Sequence, residues 1–100
     1  MDYIVIDQRD KKSYEQEHYK GAVNIEEEEL LSLLGHNKLN IYNINKDTII
    51  FLYCYGGNCA KRTTALLSKL DYKCINLGGY EDIKHNTKYI EQLINWNVYE

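Results

Sequence analysis

Apolar residues in this chain come in short runs separated by polar stretches. Tyr3 to Asp7 (YIVID) is a compact apolar run ending in an acid, the pattern of a buried strand. The segment from Lys11 to His18 is polar with Tyr14 as its main apolar residue, and Gly21 follows. That predicts a short surface helix stopped by a glycine. Ala22 to Ile25 (AVNI) is too short for a helix and suits a brief strand. The run EEEELLSLL from Glu26 to Leu34 places four acids in the first turns, where they favour the positive end of a helix dipole, and it ends at Gly35. A loop is expected from His36 to Asp47, with a short extended piece suggested by the alternation between Leu39 and Ile44. Thr48 to Tyr53 (TIIFLY) is β-branched and aromatic, the composition of a central strand buried on both faces.

Beyond that strand, Ala60 to Leu70 carries Ala65, Leu66, Leu67 and Leu70 at near-helical spacing. Cys74 to Leu77 (CINL) is a further short strand punctuated by Gly78 and Gly79. A last helix is predicted from Thr87 to Trp96, with Ile90, Leu93 and Ile94 on one face and Thr87 as its cap. Strands alternating with helices imply an α/β fold. A mostly parallel central sheet is flanked by helices on both faces, because parallel neighbours need crossover connections. In such sheets reactive groups belong at the carboxyl ends of the strands. Cys54 stands at the end of the most apolar one.

Composition narrows the functional classes. One hundred residues, 44% of them hydrophobic, suit one domain spanning residues 1–100 with a single core. A net charge of −3 with acids and bases interleaved offers no basic stripe, so no nucleic-acid role is expected. No run approaches the roughly 18 apolar residues of a membrane span, and the first residues form no signal pattern. A cytoplasmic protein without a membrane role is the expectation. Three cysteines, an odd number, argue for reduced thiols rather than a disulfide framework. A zinc site built from Cys54, Cys59, Cys74 and a histidine fails on spacing, because no Cys-x-x-Cys pair exists. No metal or other cofactor is expected.

The chemistry centres on YCYGGNCAKR, from Tyr53 to Arg62. Tyr55, Gly56, Gly57 and Asn58 lie between Cys54 and the next helix, and two glycines and an asparagine tolerate left-handed backbone angles. The loop can therefore curl and turn successive N–H groups inward as an anion nest. The helix that follows adds unpaired N–H groups and its positive dipole end, which lower a thiol pKa. Lys61 and Arg62 add positive potential where they face the loop. A buried cysteine before a glycine turn reads equally well from the loop alone.

YCYGGNCAKRTTALLSKLDY followed by INLGG resembles the active-site segment and following strand of a single-domain rhodanese, the thiosulfate sulfurtransferase family. VIDQRDKKSYEQEHYKGAVNI resembles that family's other signature, an Asp-x-Arg, an aromatic, a His and Gly-Ala-x-Asn-Ile, through Asp7, Arg9, Tyr14, His18, Gly21, Ala22, Asn24 and Ile25. The resemblance covers most of Tyr3 to Gly79; the Trp often found after the double glycine is absent. It implies a rhodanese-like domain in which Cys54 is the nucleophile. Tyr55, Gly56, Gly57, Asn58, Cys59 and Ala60 would bind the substrate, with Asp7, Arg9 and Arg62 in support. The implied donor is a small sulfur compound such as thiosulfate or a persulfide, and the acceptor a thiol, including one on a protein. The family's loop usually runs Cys-x-x-Gly-x-Arg, and here the Arg position is Cys59 and the next is Ala60, which puts thiosulfate turnover in doubt. A phosphatase-type loop would want Arg at position 60, which excludes that chemistry.

Two other readings stand beside sulfur transfer: a redox protein using Cys54 and Cys59 as attacking and resolving thiols, and a rhodanese-fold interaction module without catalysis. For Asp7 and Arg9 an ion pair that fixes a turn is the plainer reading. For His18 it is a packed histidine, since transfer to a low-pKa thiolate needs no strong base. His36 and His85 fall in polar loops.

Overall fold

The computed structural model describes residues 2–85. Four strands form one all-parallel sheet in the order β2-β1-β3-β4, where β1 is Tyr3–Asp7, β2 Val23–Asn24, β3 Ile49–Cys54 and β4 Lys73–Gly79. The helices are α1 (Lys11–Gln16), α2 (Glu27–Gly35), α3 (Asn58–Lys69) and α4 (Tyr80–His85). This is the α/β architecture that the alternation of strands and helices implied. The expected helix from Thr87 to Trp96 lies outside the described residues.

Strand β3 is buried along its whole length, and its side chains divide between two cores because they alternate across the pleat. Ile50, Leu52 and Cys54 face one way, onto Ile6, Ile25, Leu30, Leu39, Ala60 and Leu67. Ile49, Phe51 and Tyr53 face the other, onto Val5, Ala22, Tyr80 and Ile83. Helices α2 and α3 thus cover one face, while α4 supplies Tyr80 and Ile83 to the other. Each such fully buried aliphatic or aromatic side chain contributes roughly 1.5–3 kcal/mol, so β3 anchors the domain from both sides.

Several boundaries differ from the expectations. Helix α1 ends at Gln16 rather than His18. Its start is fixed by Asp10, which accepts the Ser13 hydroxyl at 2.8 Å, and Glu17 is already extended. Leu39–Tyr42 is a turn of 3-10 helix, not an extended piece: Leu39 and Ile44 are buried while Ile41 is exposed, so the alternation marks no common face. Helix α3 begins at Asn58, two residues before Ala60. Asn58 and Cys59 therefore belong to its first turn rather than to the loop. Helix α4 was not expected; with six residues and two buried positions it is too short to display a period.

A bulge in β4 positions the site. Leu52 pairs with Asn76 but Tyr53 pairs with Gly78, so Leu77 is extra and the double glycine moves up beside the end of β3. A Cβ on Gly79 would meet the Tyr55 carbonyl oxygen at 2.5 Å, so only glycine lets the loop after Cys54 lie against β4.

Candidate active site

Cys54 is the last residue of β3, 3% exposed. Its Sγ accepts the N–H of Gly57 at 3.2 Å and that of Ala60 at 3.4 Å. Two features turn these donors inward: Gly57 adopts φ +90°, which a side chain would strain, and α3 starts directly after it, so the first N–H groups of the helix have no acceptor within it. Burial alone would push the Cys54 thiol up. The Cys59 thiol and the N–H groups of Ala60, Gly57 and Cys59 outweigh that and hold it below its ordinary value. The same contact works against Cys59. Burial, reinforced by the neighbouring Cys54 sulfur, pushes its thiol up to about 12. Of the two, Cys59 keeps its proton while the Cys54 thiolate is the favoured anion.

Tyr55 projects outward, and its hydroxyl bonds Asp10 and Ser13 at the start of α1, which ties the loop to the end of β1. Gly56 has open space around its Cα. Arg62 makes its direct contact elsewhere: its guanidinium lies on Glu27 of α2 at 3.1 Å, exposed to solvent, and reaches the cradle sulfurs only through its charge. Lys61 is likewise exposed.

Asp7 and Arg9 form a closed unit beside this loop. The Arg9 Nη2 reaches Asp7 Oδ2 at 2.9 Å and the Glu17 carbonyl at 2.5 Å, and Tyr53 donates its hydroxyl to the same Asp7 oxygen at 2.7 Å. Burial and the bond to Asp7 drive the Tyr53 phenol far up, so it remains a donor. Burial opposes the Arg9 charge, yet the bond to Asp7 prevails and raises its pKa. Asn24 donates to the carbonyls of Asp7 at 3.1 Å and Arg9 at 2.8 Å, closing the turn from the β2 side. The Asp-x-Arg pair therefore fixes a turn, as the plainer reading held.

Tyr80 was missed in the sequence. It occupies the position after the double glycine, where its ring lies 3.9 Å from the Arg9 guanidinium carbon. The signal was an aromatic following Gly79. His18 is exposed rather than packed inside a loop, its ring stacked on Tyr14 at 3.8 Å. Cys74 points its thiol at the Thr64 carbonyl, 3.2 Å away, remote from Cys54 in the sequence and on another strand. Among the described residues no group of three His, Cys, Asp or Glu side chains could hold a metal ion, and no helix is long and apolar enough to cross a membrane.

A family model, the rhodanese-like domain, matches residues 1–86. The chain belongs to the rhodanese-like family. The rhodanese fold is equally evident in three dimensions: an E. coli rhodanese solved with anions superposes with a TM-score of 0.68 at 29% identity, over 81% of this chain and 91% of that one. A comparison with curated proteins finds no match. In this rhodanese-like chain the cysteine at the end of β3, the cradle and the turn at Asp7 to Arg9 lie together at the carboxyl edge of the sheet. A surface depression of about 730 Å³ lies instead at the amino edge, between Tyr3, Ile4, Asn40, Tyr42, Asn45 and Thr48, and no cysteine lines it.

Proposed function

We propose that the protein is a sulfurtransferase or sulfane-sulfur carrier that holds its cargo as a persulfide on Cys54. The observation that carries the reading is the pair of backbone N–H groups, from Gly57 and Ala60, directed at a buried cysteine sulfur whose thiolate is favoured. Such fixed donors need no reorganisation when charge arrives on sulfur. Cys54 thiolate attacks the outer sulfur of thiosulfate, releasing sulfite, or of a persulfide, releasing the donor thiolate. The Cys54–sulfur bond forms as the donor's sulfur–sulfur bond breaks. The acceptor thiolate then attacks the terminal sulfur, takes it as a new persulfide, and Cys54 leaves as thiolate. Reduced cysteines throughout suit a reducing compartment such as the cytoplasm.

Mass spectrometry of the intact protein after exposure to thiosulfate or glutathione persulfide tests this. A gain of one sulfur, absent in Cys54→Ala, is expected; no gain with either donor overturns the reading.

The interaction of the Cys59 and Cys54 thiols favours one second reading. A peroxide could oxidise Cys54 to a sulfenic acid, which Cys59 would attack to form a disulfide and water. Its signature is a loss of two hydrogens, reversed by a thiol reductant.

A further inference from the structure

A cleft of about 450 Å³ opens beside the cradle, walled by Gln8, Glu26, Glu27, Glu28, Glu29 and Cys59. Acids at the start of α2 have an ordinary explanation in the helix dipole. That explanation does not reach Gln8. Gln8 is the middle residue of the Asp-x-Arg turn, 5% exposed, and its Nε2 donates to Thr63 Oγ1 at 2.9 Å. Thr63 spends its own proton on the Cys59 carbonyl, also at 2.9 Å, so its oxygen can only accept from Gln8. The amide orientation is thereby fixed, and Oε1 is left as a buried acceptor with no partner among the described residues. Such a group calls for a hydrogen-bond donor.

The surrounding charge says which kind. Of the four carboxylates, Glu27 is engaged by Arg62 and Glu29 accepts the Tyr42 hydroxyl at 3.1 Å. Glu26 and Glu28 are exposed, and neither has an ion pair among the described residues. A donor-rich cation therefore fits: an ammonium or a guanidinium in the field of the carboxylates, which reaches Gln8 Oε1 by displacing the side chains that seal that oxygen from solvent. We infer that this cleft docks a lysine or arginine side chain of a polypeptide partner whose cysteine exchanges sulfur with Cys54. The inference rests on the persulfide reading for the exchange but not for the docking. A polypeptide is favoured over a small cation because Cys59 is a wall shared by cleft and cradle. A chain anchored by its basic residue then carries a neighbouring thiol to a sulfur that is itself almost wholly buried. The same acids oppose a dianionic donor such as thiosulfate.

Two labelled peptides, one with a serine flanked by lysine and arginine and one with the serine flanked by aspartate and glutamate, test the docking without any sulfur chemistry. Fluorescence anisotropy at low ionic strength should show the basic peptide binding the full chain at least ~10-fold more tightly. Added salt should shrink the difference. The exposed pair Glu26→Gln/Glu28→Gln should reduce the preference several-fold, and Gln8→Met, checked for folding by circular dichroism, should reduce it further. Equal affinity for the two peptides, or a preference that the Glu26→Gln/Glu28→Gln protein retains in full, overturns the inference. Displacement of the basic peptide by an equal concentration of spermidine reassigns the cleft to small polyamines and overturns it as well. Peptide binding without sulfur loading of Cys54 defeats the persulfide reading alone; sulfur loading without a basic preference defeats the cleft alone.

Discussion

Strands β1 and β3 end side by side, Asp7 opposite Tyr53, yet the two ends treat charge in opposite ways. At the end of β1 a carboxylate accepts from a guanidinium, a phenol and a backbone N–H, the guanidinium also donates to a backbone carbonyl, and every partner is a neighbouring group of the protein itself. At the end of β3 a sulfur meets backbone N–H groups and one thiol, with no opposite full charge in contact. The first arrangement is bound up chiefly in its own ion pair and turn. The second stabilises an anion through dipoles that remain in place whatever sulfur species occupies them, which is what a carrier of transferable charge requires.

The sharpest way to separate the two ends is to break the closed one. Asp7→Asn leaves Arg9 buried without its counter-charge, and removal of one partner of such a pair costs about 3–5 kcal/mol. Urea unfolding should show that loss, while the pH dependence of Cys54 alkylation in the folded protein stays where it was. A displaced Cys54 profile would mean that the β1 end supports the thiolate after all.

Next in size is the contact that seats the loop. Gly79→Ala drives a Cβ into the Tyr55 carbonyl, and relief requires backbone movement, so a loss of about 1–3 kcal/mol is expected. Because Tyr55 leads through Gly56 into Gly57, Cys54 reactivity should fall with it. Gly56→Ala is the control: nothing lies within 4 Å of the added methyl, and stability and reactivity should hold.

These two ends also differ in how well the sequence reveals them. The strand cores, the buried β3 and the cysteine at its end were legible, because β-branched runs and glycine pairs report directly on burial and turns. The ion pair of Asp7 and Arg9 was legible as a turn device. The chain did not disclose which way Arg62 points, since a guanidinium in the first turn of α3 reaches the loop or α2 equally well, and Glu27 decides it. Nor did it disclose Gln8, whose significance depends on a proton in Thr63 that is committed to another residue. Helix α4 escaped because its two buried residues, Tyr80 and Ile83, gain their meaning only against Tyr53 and Phe51.

The resemblance to the family's loop puts Cys59 at its arginine position, and Cys59→Arg tests whether the dipole cradle wants a full charge. A guanidinium that strengthens its contact in the transition state by about 1.4 kcal/mol raises thiosulfate turnover ~10-fold. The same change removes the only thiol beside Cys54, so reversible oxidation should give way to over-oxidised or glutathione-capped Cys54. Unchanged sulfur transfer together with unchanged peroxide sensitivity would falsify both roles of the pair and leave a binding module.

The smallest expected effect isolates the one side-chain donor in the cradle. Burial opposes the Cys54 thiolate, and the backbone N–H groups of Ala60, Gly57 and Cys59 act with the Cys59 thiol to overcome it. In the wild type the alkylation rate of Cys54 should therefore reach half-maximum at a pH below the ordinary free-thiol value of about 8.5. Cys59→Ala removes the thiol donor while keeping the backbone N–H at that position. The midpoint should move upward, and at neutral pH the rate should drop with the thiolate fraction. Cys59→Ser restores an O–H donor and should bring the midpoint part of the way back. A free Cys59 could not confuse the wild-type profile, because its own thiol is pushed up to about 12 and stays protonated across the range. If Cys59→Ala leaves the midpoint in place, the backbone alone holds the thiolate, and Cys59 contributes to the site only as part of the wall it shares with the acidic cleft.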